Sequence, residues 1–220
     1  MLALGQLDAA IVCTGAFADP KLSQSCKVLL VPQLPPEGSY YRSVIVVRTG
    51  DPANRFEDLR GRSAVFTDPL SLTGYLYPLS RLCAMGQRPS AFFGALSFSQ
   101  SHDRSIASVA DGLADAAAVD SAVFEDWMER DASHSKALRI LDRSGLFPSP
   151  PIVVRSSLAA PERERLRTAF LDLAAAGGGG TILKQMGWSG LKEPDPEYLE
   201  RLRATGAFMK GLYDQDCLSP

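Results

Sequence analysis

The residues best placed to do chemistry lie in the run Phe66-Thr67-Asp68-Pro69-Leu70-Ser71-Leu72-Thr73-Gly74-Tyr75-Leu76. It reads as a strand end, a tight turn and the opening of a helix. Ser71, Thr73 and Gly74 fall where the first backbone N–H groups of a helix have no intrahelical partner. Ser and Thr are favoured caps there, and Gly lets a ligand approach the backbone closely. Free N–H groups, two hydroxyls and the positive end of the helix dipole make an anion site that needs no Lys or Arg. An ordinary N-cap after a strand is the other reading of the same residues.

Other chemistries lack their residues. There is no Gly-x-Ser-x-Gly elbow, no acid cluster for metals and no thiolate paired with histidine. Cys13, Cys26, Cys83 and Cys217 show no CxxC spacing, which argues against a zinc or thioredoxin-type site. Cys13 and Cys26 pair only in an exported protein and otherwise stay as buried thiols. His102 and His134 are too few for a His-rich metal centre. No catalytic set, metal or cofactor is therefore expected. The 220 residues carry 23 Lys+Arg against 25 Asp+Glu, a net charge of −2 that gives no nucleic-acid-binding surface. Hydrophobic content of 45% with 22% charge fits a globular chain with a core. No apolar run approaches the roughly 20 residues needed to span a membrane. The opening Met-Leu-Ala-Leu-Gly-Gln-Leu-Asp has no basic n-region, so a signal peptide is not expected and the chain, taken literally, is cytoplasmic.

The elements that must position these residues are legible. Strands are expected at Ala9–Val12, Tyr41–Arg48, Ser63–Thr67, Ala116–Val119, Leu138–Leu141 and Pro151–Arg155, rich in β-branched or small apolar residues. Helices are expected at Leu72–Met85, Ser101–Gly112, Ser121–Arg130, Pro161–Ala174 and Asp195–Tyr213. Their alternation predicts an α/β fold with largely parallel sheets. One internal echo supports two similar lobes: Leu4-Gly5-Gln6-Leu7-Asp8-Ala9-Ala10-Ile11-Val12 matches Asp111-Gly112-Leu113-Ala114-Asp115-Ala116-Ala117-Ala118-Val119. Each copy reads as a helix end, a Gly-x-x-Asp turn and a buried strand. Gly177-Gly178-Gly179-Gly180 lacks the Gly-Lys-Ser/Thr ending of a phosphate loop and reads as a flexible linker.

Six ordered blocks carry a family resemblance: Tyr41–Arg48; Phe56–Gly61; Asp68-Pro69-x-Ser71-x-Thr73-Gly74-Tyr75-Leu76; Ser101-His102-Asp103-x-Ser105-Ile106; Asp115–Asp120; and Pro150–Arg155. Together they resemble the phosphate/phosphite/phosphonate-binding family of ABC-transporter substrate-binding proteins. The resemblance implies a two-lobed type II periplasmic binding protein fold with mainly parallel sheets. Lobe 1 would occupy 1–50 and lobe 2 would occupy 51–151. Residues 152–220 would give a return strand and C-terminal helices packing on lobe 1. Val44–Arg48 and Ile152–Arg155 would be the crossing strands, and ligand would sit in the inter-lobe cleft.

The same resemblance implies the site. Ser71, Thr73 and the amides of Thr73 and Gly74 would grip a tetrahedral oxyanion. Leu72 stands where the family commonly has a hydroxyl residue, which removes one hydrogen bond. His102 would aim its imidazole at the same anion; helix capping or core packing is its other reading. Asp120 follows a strand at its carboxyl end, where α/β ligands bind, and would accept from a ligand amine or a P–OH. Its other role is to cap the helix from Ser121. Thr14 and Gly15 would close on the ligand from lobe 1, and Tyr41 or Tyr40 would add a phenol. The implied partners are a small phosphorus oxyanion or phosphonate and an ABC permease, with a periplasmic location and a monomeric state for the complete protein. Family members carry a further strand–helix–strand segment before the unit that opens this chain, so lobe 1 is expected to be incomplete. A sensory ligand-binding domain, or an enzyme using His102 and Asp103 on the same fold, are the competing functions.

Overall fold

The computed structural model describes residues 1–17, 19–130 and 136–214. His134 and Cys217 lie outside the described residues. In chain order the elements are β1 (Ala9–Ile11), α1 (Thr14–Phe17), α2 (Pro20–Ser25), β2 (Cys26–Gln33), β3 (Tyr40–Tyr41), β4 (Ser43–Arg48), β5 (Ser63–Phe66), α3 (Tyr77–Ala84), α4 (Pro89–Phe92), β6 (Ala95–Phe98), α5 (His102–Ala110), β7 (Ala116–Asp120), α6 (Ser121–Arg130), β8 (Leu138–Arg143), β9 (Phe147–Pro148), β10 (Ile152–Arg155), α7 (Ala160–Ala175), α8 (Gly177–Gln185), β11 (Gly190–Lys192) and α9 (Pro196–Asp214). They form two compact units. One comprises Met1–Tyr41 with Phe147–Phe208, the other Arg42–Leu146 with Met209–Pro220.

The Arg42–Leu146 unit is built on a five-stranded sheet of order β6-β5-β7-β4-β8. β5 runs parallel to β6 and to β7, while β4 is antiparallel to β7 and to β8. Four strands therefore share a direction, and β4 is threaded against them between β7 and β8. Helices bridge β5 to β6, β6 to β7 and β7 to β8, the crossover that parallel neighbours require. β4 has no preceding crossover helix in this unit and takes the opposite direction. Val46 and Val47 of β4 and Ala118 and Val119 of β7 are fully buried in this sheet, as strands covered on both faces demand.

The other unit departs from the expected parallel arrangement. Its four-stranded sheet, β1-β10-β2-β11, is antiparallel at every described ladder. The sheets are mixed rather than mainly parallel. β2, which sequence reading does not mark, lies inside this sheet and buries Leu30 and Val31. The internal echo is carried by geometry. Gly5 and Gly112 both sit in the left-handed region, at φ 67° and 76°, and each leads into a strand. Gly177–Gly180, expected as a linker, opens α8 instead. Gly179 is required there because a Cβ would stand 1.5 Å from the Leu173 carbonyl oxygen of α7.

Candidate functional site

The helix after β5 is fixed by its apolar stripe. Leu72, Leu76, Leu79 and Leu82 recur at helical spacing and are all but fully buried. Burying each such side chain contributes roughly 1.5–3 kcal/mol. The stripe holds the helix so that its N-terminus stands just past the end of β5. Asp68 shapes the entry, accepting from the Leu70 amide on Oδ1 at 2.9 Å and from the Ser71 amide on its carbonyl at 3.1 Å. Ser71 is the N-cap, and its Oγ accepts from the Gly74 amide at 3.0 Å. The first turn is wider than an α-turn, with the Leu76 amide reaching the Ser71 carbonyl at 2.9 Å. Such i→i+5 turns recur at functional sites. Among the described residues, the amides of Leu72 and Thr73 meet no acceptor. Neither does the Thr73 hydroxyl find a partner there, although the Thr73 carbonyl accepts from Ser43 Oγ at 2.6 Å.

Of the sequence-derived candidates, Ser71 is engaged as a cap and Gly74 gives it its amide. Leu72 puts its side chain into the core and offers only its N–H. Thr73 offers both N–H and hydroxyl. Gly74 is glycine for reasons of space: a Cβ would lie 2.2 Å from Thr67 Oγ1 and 2.6 Å from Thr67 Cβ.

His102 is the first residue of α5, whose N-cap, Ser101, gives no side-chain cap. Its Nδ1 accepts from the Asp120 backbone amide at 3.1 Å and lies 3.1 Å from Thr67 Oγ1. An amide N–H can only donate, so Nδ1 carries the lone pair and this bond network assigns the proton to Nε2. Nε2–H has no acceptor among the described residues. Burial pushes the His102 pKa down from 6.5 to about 4, against the opposing pull of the Asp68 and Asp103 carboxylates. At neutral pH the ring is therefore an uncharged N–H donor.

Asp120 closes β7. Its Oδ1 accepts from the Ala122 amide at 2.8 Å and the Val123 amide at 3.4 Å, so the capping role is realised. Oδ2 has no donor among the described residues. Burial raises its pKa from 3.8 to about 6, more than the two amides lower it. Ser71, Thr73, Gly74, His102 and Asp120 thus meet within one unit, linked through Thr67. Sequence reading did not single out Thr67 or Ser43; their small polar side chains matter only through partners distant in sequence.

Thr14, Gly15 and Tyr41 belong to the other unit. The Thr14 hydroxyl donates to the Pro148 carbonyl at 2.8 Å in a fully buried position. Gly15 is buried within α1. Tyr41 is buried opposite Phe147 on the β3–β9 ladder. Cys13 and Cys26 stand as thiols, Cys26 buried. No group of three or more potential metal ligands occurs among the described residues, and no described helix is long and apolar enough to cross a membrane.

A family model described as "ABC transporter, phosphonate, periplasmic substrate-binding protein" matches residues 1–199. The phosphonates-binding periplasmic protein of Escherichia coli (strain K12) is 24% identical over 191 residues, which are 81% of this chain and 56% of that protein. The chain thus spans about half the length of this curated relative. Among solved structures, a binding protein component of an ABC phosphonate transporter from Pseudomonas aeruginosa matches with a TM-score of 0.80 at 19% identity, covering 95% of this chain and 70% of that one. PhnD1 from Prochlorococcus marinus, solved in complex with methylphosphonate, matches with a TM-score of 0.77 at 18% identity, covering 95% and 80%. These likenesses establish the type II periplasmic binding protein fold.

Proposed function

The chain belongs to the family of phosphonate ABC-transporter periplasmic substrate-binding proteins, and from that premise we propose that it captures a small phosphorus oxyanion for an importer. The carrying observation is a set of unused donors within one unit: the amides of Leu72 and Thr73, the Thr73 hydroxyl and the Nε2–H of His102. Neutral dipoles at a helix start hold an anion without full charge neutralisation. Ser71 keeps the turn open by capping it. Asp120 supplies the acceptor that distinguishes ligands. Its free Oδ2 takes a hydrogen bond from a P–OH or from an amine on the ligand, and repels an anion that has neither. A fully deprotonated sulfate is thereby excluded.

On this reading the chain performs no chemistry, works with an ABC permease in the periplasm, and binds ligand as a monomer. Calorimetric titration with methylphosphonate, 2-aminoethylphosphonate, phosphate, phosphite and sulfate tests the proposal. At least one phosphorus oxyanion should bind, sulfate should not, and Ser71→Ala with Thr73→Ala should abolish the heat. Absence of binding by all four phosphorus oxyanions to folded protein would reject it.

A further inference from the structure

We propose that Thr67 is the positioning residue that holds His102 and the Ser71–Gly74 helix start in one register; this rests on the oxyanion reading given above. Thr67 directly follows β5 and is 6% exposed. Each of its polar groups is committed to a different part of the site. Its amide donates to the Gly74 carbonyl at 3.2 Å, tying it to the helix start. Its carbonyl accepts from the Gln100 amide at 2.8 Å, on the approach to α5. Gln100 holds a left-handed φ of 65°, a strained backbone for a non-glycine residue that the Thr67 bond helps to fix. Its hydroxyl reaches His102 Nδ1 at 3.1 Å.

The hydroxyl acts together with the Asp120 amide. The amide makes Nδ1 a lone-pair site, so the Thr67 hydroxyl donates to it as well. Two donors on Nδ1 set the ring's orientation and leave Nε2–H as the group presented to an anion. The carboxylates of Asp68 and Asp103 act on the ring in the opposite sense, favouring a proton on it. Packing matters too, because Thr67 Oγ1 and Cβ fill the space that a Gly74 Cβ would occupy. Thr67 is β-branched and stiff at χ1, so its hydroxyl cannot swing away freely.

The test uses the 220-residue chain, labelled with 15N, and its Thr67→Val and Thr67→Ser variants. Imidazole 15N correlation spectra without ligand should show His102 of the unmodified protein as the Nε2–H tautomer between pH 5 and pH 7. Thr67→Val should broaden or shift those resonances and weaken methylphosphonate binding by about tenfold, the scale of one hydrogen bond to an ionic ligand. Thr67→Ser should restore both to near the unmodified values. A Nδ1–H tautomer in the unmodified protein, methylphosphonate affinity unchanged in Thr67→Val, or no rescue by Thr67→Ser overturns the proposal. The spectra need no ligand, so they decide the positioning role even if the oxyanion reading fails in the titrations. Should Thr67→Val not fold, the unmodified tautomer and the Thr67→Ser affinity decide it.

Discussion

Replacing Gly74 by Ala puts a methyl group into space already taken. The new Cβ would lie 2.2 Å from Thr67 Oγ1, 2.6 Å from Thr67 Cβ and 2.8 Å from Ser71 Oγ. These atoms are not the loose end of a long side chain. Thr67 is β-branched, and its amide is bonded to the Gly74 carbonyl itself, so the two residues cannot part without breaking that bond. Overfilling a packed site costs about 1–3 kcal/mol, and the backbone hydrogen bond is worth about 1 kcal/mol net. The substitution should therefore destabilise the protein by about 2–4 kcal/mol. Urea unfolding at pH 7 measures this directly. Ligand affinity should fall as well, since moving Thr67 moves His102. A Gly74→Ala protein within 0.5 kcal/mol of the parent, about the scatter of an innocuous substitution, with unchanged affinity would refute the packing argument.

Three further outcomes follow, two from the same site and one from the α7–α8 contact in the other unit. Asp120 titrates near 6 in the folded protein against 3.8 ordinarily, so the native state holds the extra proton between about pH 4 and 6, and this group's stability falls as pH rises through that window. His102 titrates near 4 against 6.5, so the unfolded chain holds the extra proton between about pH 4 and 6.5 and stability rises with pH there. At ~1.4 kcal/mol per unit, each amounts to about 3 kcal/mol, with opposite signs. Relative to the parent, Asp120→Asn should therefore gain stability as pH rises from 4 to 6, and His102→Gln should lose it; urea midpoints running parallel to the parent would contradict both assignments. Gly179→Ala should destabilise by more than about 2 kcal/mol, because its Cβ meets a backbone carbonyl that cannot rotate aside; thermal unfolding reads this, and an unchanged melting temperature would count against the α7–α8 packing.

What sequence could reveal depended on how far apart the partners lie. The Ser71–Gly74 helix start was legible because capping is local, and the structure places Ser71 as the cap. The Gly-x-x-Asp echo was legible because a left-handed glycine before a small apolar strand is a local pattern, and both glycines adopt it. Strand direction was not legible. β4 looks like any buried β-branched run, and only its insertion between β7 and β8 makes it antiparallel. β2 was missed because Pro32 interrupts its run, yet the strand takes β11 along one edge at that residue. Thr67 could not be read as functional, since its hydroxyl partner lies 35 residues away. The glycine run at 177–180 was misread because composition suggests flexibility, whereas the close approach of α7 demands a residue without a side chain.

The most direct test of the anion site is an amide 1H–15N titration of the protein with methylphosphonate. An anion held at this helix start should give the largest downfield shifts at the N–H groups of Leu72 and Thr73, with the His102 Nε2–H shifting in step, because these donors lack an acceptor among the described residues. Saturable shifts confined to residues outside 67–74, 102 and 120, or none at all in folded protein, would contradict it.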